Sequence, residues 1–147
     1  MTNRLSSGLR HSMVSNYGLG SMLNFGHIRI YSGTQPDSAD LPPTGVLLAV
    51  VSAGGIDPVP GTQTGGLEVD VGSEYGQLVN VGNWVLKGKA NGVPGWWRFV
   101  WSAPDNDSES QYYPRLDGAV GESLILGVDA ITIGMELPVN RFNLVLL

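Results

Sequence analysis

The interval between turn-forming residues constrains this chain more than any motif does. Of 147 residues, 21 are glycine and 9 proline. From Gly26 onward they bound short apolar runs, about one run per ten residues, with no helical periodicity between them. That spacing leaves no room for the crossover helices of a parallel sheet. It predicts an all-β fold, an antiparallel β-sandwich of jelly-roll-like form. The strands expected are 27–31, 46–51, 67–71, 78–81, 84–90, 96–101, 112–120, 123–126, 131–137 and 140–147. Ile28 and Ile30 share one face of the first, while 46–51 is apolar throughout, as in a strand covered on both sides. Trp97, Phe99 and Trp101 alternate with Trp96, Arg98 and Val100, so both faces of that strand carry an aromatic. Asn91-Gly92, between 84–90 and 96–101, is a hairpin signal. The closing alternation of Phe142, Leu144 and Leu146 reads as a central strand.

Ahead of Gly26 there is one helical pattern. Leu5, Leu9 and Met13 recur every four residues, with Thr2 or Asn3 as N-cap and Gly18 as a stop. This places a helix or ordered arm over 3–17, within an N-terminal segment 1–20 that precedes a single sandwich domain at 21–147. Two readings stay open for it, a lid over one end of the core or an arm reaching a neighbouring subunit.

Composition narrows the partners. Charged residues are 14% of the chain, against a usual ~25%, which fits a surface partly covered by neighbours. The net charge of -5 and the scatter of Lys87, Lys89, Arg98 and Arg115 give phosphates no basic stripe, so no nucleic acid is expected. The longest apolar run, 46–51, is far short of a membrane span, and 1–10 is polar, without an apolar stretch of signal-peptide length. No membrane partner is expected. The absence of cysteine removes disulfides, thiolate nucleophiles and cysteine-based zinc sites, and fits assembly in a reducing cytoplasm.

Catalytic and cofactor motifs fail one by one. His11 falls in the polar N-terminal helix and His27 opens a strand, neither placed near a nucleophile. Gly121-Glu122-Ser123-Leu124-Ile125 lacks the last glycine of a nucleophile elbow, and Gly18-Leu19-Gly20-Ser21-Met22-Leu23 lacks the third glycine of a dinucleotide fingerprint. Asp105, Asp107 and Glu109 alternate as a hard cation would want, but Ser110 replaces the glycine of an EF-hand and no later glutamate follows at the right distance. A solvated acidic turn is the favoured reading. Trp96 offers a subunit contact or a carbohydrate-stacking platform. Neither catalytic residues, nor a metal, nor a cofactor are expected.

In order along the chain stand Leu9-Arg10-His11-Ser12-Met13, then Ile28-Arg29-Ile30-Tyr31-Ser32-Gly33-Thr34-Gln35-Pro36, then Pro43-Thr44-Gly45-Val46-Leu47-Leu48-Ala49. A Trp96-Trp97-Arg98-Phe99 strand and an Arg115-Leu116-Asp117-Gly118 turn running on to Gly121 follow. This series resembles a family of small proteins encoded among the virion genes of tailed bacteriophages. The resemblance implies a β-rich virion component without known catalytic residues, assembled in the host bacterial cytoplasm. The expectation is a capsid decoration or cement protein that binds other copies of itself, as a trimer, and a major virion protein. A tail-tip, collar or fibre-attachment protein and a host-surface carbohydrate module are the alternatives. Contacts are expected at Leu5, Leu9 and Met13 of the arm, at the loops around Asp37 and Asp57, and at Trp96.

Overall fold

The computed structural model describes residues 3–146. Thr2 and Leu147, a candidate cap and the last residue of the expected tail strand, lie outside them. The elements in chain order are β1 (Arg4–Leu5), α1 (Ser7–Ser15), α2 (Leu19–Leu23), β2 (His27–Ser32), β3 (Leu47–Ala53), β4 (Glu68–Val71) and β5 (Gln77–Val81). β6 (Trp84–Gly88), β7 (Pro94–Val100), β8 (Arg115–Ala119), β9 (Leu124–Ile125), β10 (Glu136–Pro138) and β11 (Arg141–Val145) complete the chain. Antiparallel pairing makes one seven-stranded sheet, β1-β8-β7-β2-β3-β6-β10, and one four-stranded sheet, β4-β5-β11-β9. The sandwich expected from the turn spacing is what forms. Its division into seven and four strands is not the even one of an eight-stranded jelly roll.

Alternation decides what lies between the sheets. Ile28 and Ile30 of β2, Trp97 and Phe99 of β7, Leu116 of β8 and Leu86 of β6 are fully buried and meet Leu78, Phe142 and Leu144 of the smaller sheet. Phe142 is the centre of this layer. Its ring lies 5.3, 5.6 and 5.9 Å from those of Trp84, Trp97 and Phe99, mostly edge to face, the arrangement aromatic quadrupoles favour. On β8 the Trp97 indole lies over Gly118, where a Cβ would run into the ring. The strand containing Phe142, β11, sits between β5 and β9 as a central strand should.

The Asn91-Gly92 hairpin does not exist. β6 pairs with β3 and β10, β7 pairs with β2 and β8, and the connection crosses the ends of β3 and β2. Gly92 instead exchanges two hydrogen bonds with Ile131. The turn chemistry is real, but two buried strands compete for the partners a hairpin would need.

The N-terminal segment is part of the domain. Arg4 and Leu5 pair with Asp117 and Leu116, which makes β1 the edge of the larger sheet. The helix starts at Ser7, not Asn3. Ser6 caps it by accepting from the Leu9 amide at 3.2 Å, and its end is at Asn16, before Gly18. Leu9 is fully buried, and Leu5 and Met13 pack against the same core. Gly8 lets the helix lie directly on the backbone of Tyr112, where a Cβ has no space. These contacts are those of a lid on the core of its own protomer. A second helix, α2, follows with Gly18 as its N-cap, where periodicity predicts no element.

Candidate functional site

The outer face of the larger sheet carries a second buried layer, and it is polar. Alternation turns His27, Arg29 and Tyr31 of β2, Trp96 and Arg98 of β7, and Arg115 and Asp117 of β8 away from the core. Register then lines up Arg29, Arg98, Asp117 and Arg4 across four neighbouring strands. Arg29 opposite Arg98 is a repulsive cross-strand pair by itself. Its compensation comes from elsewhere in the chain.

Two loops close over this face, 33–46 and 101–114. From the second, Asp107 accepts from Arg29 Nη1 at 2.7 Å and from the Tyr31 hydroxyl at 3.0 Å, and its carboxylate stands 3.9 Å from Arg98 Nη1. Asp105 holds Arg115 through two bonds of 2.7 Å. Arg98 donates twice to Asp117, at 2.8 and 3.0 Å, and once to the Leu41 carbonyl of the first loop. Arg115 also reaches the carbonyls of Ala39, Asp40 and Ser108, so one guanidinium ties both loops to the sheet. Arg29, Arg98 and Arg115 are thus balanced by Asp105, Asp107 and Asp117. The acidic run 105–109 is therefore only partly a solvated turn: the Asp105 carboxylate is fully buried and Asp107 turns in to the arginines, while Asn106, Ser108 and Glu109 stay exposed. Among the described residues, no cluster of His, Asp and Glu is arranged to hold a metal.

Burial shapes the titration of this layer. His27 is pushed down to about 4, by desolvation first and by Arg29 second; its Nε2 accepts from Arg29 Nε at 3.2 Å. The imidazole is therefore held neutral, as an acceptor for Arg29. Burial and then Asp107 raise the Tyr31 phenol above its ordinary value. Burial works against the Asp105 charge, but the Arg115 bonds, the Asp107 amide and the charges of Arg115 and Arg29 together outweigh it and leave the carboxyl below its usual range. For Asp117 burial wins over Arg98, and the carboxyl is raised.

The wording of the 31–36 segment has a structural explanation here. Tyr31 stacks on Trp96 at 4.6 Å, the Trp96 Nε1 donates to the Thr44 carbonyl, and Arg4 Nη1 donates to the Pro36 carbonyl. Asp40 accepts from the Ser7 amide and hydroxyl at 2.7 and 2.6 Å, a carboxylate at the helix N-terminus where the dipole favours it. The segment is a strap fastened over the sheet.

The expected contact residues are not brought together. Trp96 is 0% exposed, so it is neither a subunit contact in the folded protomer nor a stacking platform, since Tyr31 and the strap cover it. Leu9 is equally inaccessible. Asp37 is exposed on the strap, beside Arg4 at the β1 edge. Asp57 is exposed at the opposite edge, 4.0 Å from Lys87.

Two surfaces are announced by no motif. One is an apolar end formed by Val46, Leu47, Val93 and Ile133, exposed by 57, 37, 68 and 70%. All sit where β2 and β6 finish and β3 and β7 begin. Val93, an apolar residue between Gly92 and Pro94 in the turn that follows Asn91, is the one signal the sequence carries for it. The other is a groove of about 710 Å³ between α2 and the β4–β5 hairpin. No protein-family model, curated protein or solved structure matches this chain.

Proposed function

We propose that this protein is a non-enzymatic structural component of a tailed-phage virion, a decoration or cement protein that binds the shell through its rigid surface. The phage assignment is supported by the resemblance centred on 31–36. The observation that carries the structural role is the apolar end. Ser32 N–H donates to the Val46 carbonyl at 3.0 Å, Gly92 and Ile131 bond each other twice, and Asn91 Oδ1 accepts from the Ile133 amide at 2.8 Å. Apolar side chains presented on backbone already fixed by hydrogen bonds lose little entropy on association. Apolar side chains gathered on such a frame mark contact surfaces.

The partner is the major shell protein, together with further copies of this chain in a symmetric trimer. The test is quantitative mass spectrometry of purified particles. A copy number comparable with that of the shell protein supports decoration. A few copies per particle assign the protein to tail tip or collar instead, and absence from the particle overturns the reading.

A further inference from the structure

β4 ends its sheet, and the way its free edge is closed shows what is missing beyond. Leu67 N–H donates to the Gly26 carbonyl at 2.8 Å, Phe25 N–H donates to the Leu67 carbonyl at 2.7 Å, and Val69 N–H donates to Asn24 Oδ1 at 2.8 Å. Odd-numbered positions therefore turn their backbone groups away from β5, and residues 24–26 lie along them as a stand-in for a neighbouring strand. The stand-in stops at Val69. The next outward amide, Val71, is held only by the carboxylate of its own neighbour Asp70, at 2.8 Å. This is where the groove begins. α2 forms one wall, Val69, Leu78 and Leu146 supply apolar lining, and Tyr75 stands fully exposed at the hairpin tip.

The groove is acidic. Asp70 and Glu74 line it, Glu68 lies on the same strand, and no lysine or arginine is among its lining residues. An occupant that adds to a strand edge must be extended, with alternate side chains facing the apolar lining and the acids. We propose that the groove takes an extended segment of a partner protein in which apolar residues alternate with lysine or arginine, added to β4 as a further strand.

A second copy does not supply it. Arg29, Arg98 and Arg115 are bonded inside the protomer, Arg4 is bound to Pro36, and Lys87 is near Asp57 and Glu136. Arg10 is helical, Arg141 lies in a central strand, and the backbone of Lys89 is bonded to Leu48. The inference deepens the structural reading by naming what the partner contributes, and rests on it only for where that partner is found.

The experiment is a calorimetric titration of the full chain, at low salt, with a capped hexapeptide of alternating lysine and valine and with its glutamate–valine counterpart. The lysine peptide is expected to bind and the glutamate peptide not. Asp70→Lys with Glu74→Lys lowers the affinity by about tenfold or more. Val71→Pro does the same, because it removes the outward N–H while leaving the β5 ladder intact. Amide exchange at Val71 in the unaltered protein slows on binding, a reading that survives if the proline variant folds poorly. No binding of the lysine peptide overturns the proposal. So does binding that ignores Val71→Pro and leaves the Val71 amide unprotected, which is ion attraction alone. A dimer in sedimentation that Glu74→Lys dissolves assigns the groove to a second copy and overturns it as well. None of these readings depends on whether the protein is found in particles.

Discussion

Asp107 and Asp105 show how a residue's role follows from partners far along the chain. In sequence they stand in a short acidic run that looks made for water. In the fold, Asp107 neutralises the Arg29 and Arg98 pair of the sheet, and Asp105 clamps Arg115 with its carboxylate out of solvent. Removing one member of such a pair leaves the other buried and uncompensated. Asp105→Asn is expected to cost about 3–5 kcal/mol in urea unfolding, whereas Glu109→Gln, at an exposed position of the same run, changes stability by less than about 0.5 kcal/mol. His27 sets the pH response. Its folded pKa of about 4 is below the ordinary 6.5, so the unfolded chain binds the proton more readily. Its contribution is complete above pH 6.5 and is lost as pH falls toward 4, amounting to about 3 kcal/mol at most. Asp105, lowered, adds to acid lability, while Asp117, raised, opposes it. Stability curves from pH 7 to 4 are expected to flatten over this window in His27→Gln, which keeps an acceptor for Arg29.

At the scale of elements, faces are legible in the sequence and neighbours are not. The alternation of 96–101 alone separates Trp97 and Phe99 from Trp96 and Arg98, because period two is a property of a single strand. Which face is the core depends on strap and loop closing over the other, and nothing near Trp96 announces that. The Asn91-Gly92 turn fails for the same reason: hairpin chemistry is local, but strand pairing is decided by competition with β2 and β3. α2 leaves no periodic trace, since five residues containing Gly20 are too few to display one. The Leu5, Leu9 and Met13 pattern is real burial, yet Ser6 divides it between a strand and a helix. Ser6 also accepts from the Arg115 amide at 2.8 Å and donates to the Tyr113 carbonyl at 2.7 Å, so the N-terminal segment is riveted to β8. Deleting residues 1–18 is therefore expected to abolish cooperative thermal unfolding rather than leave a folded core. Leu9→Ala alone should cost about 2–5 kcal/mol in denaturant titration.

For the whole molecule, both candidate contact surfaces lie outside the polar layer, whose charges are taken up in holding the strap. The apolar end can thus be altered without disturbing what keeps the fold closed. Val93→Asp with Ile133→Asp is expected to leave the melting temperature within a few degrees of the parent and to reduce co-sedimentation with bare shells at least tenfold. Loss of the fold in that variant, or shell binding equal to the parent's, removes the apolar end from the proposed assembly role. The sheet margins carry a further consequence. The larger sheet ends in β1, of two residues, and in β10, of three, with Pro138 in the latter, and the smaller sheet has β9, of two, at one margin. Among the described residues β4, of four, is the longest of these margins; residues 24–26 line its edge as far as Val69, and a second copy's β4 brought to what remains would set its own Glu68 and Asp70 against Asp70 and Glu74. Like charge at that margin opposes edge-to-edge pairing between copies of the chain, while a basic strand would meet no such repulsion.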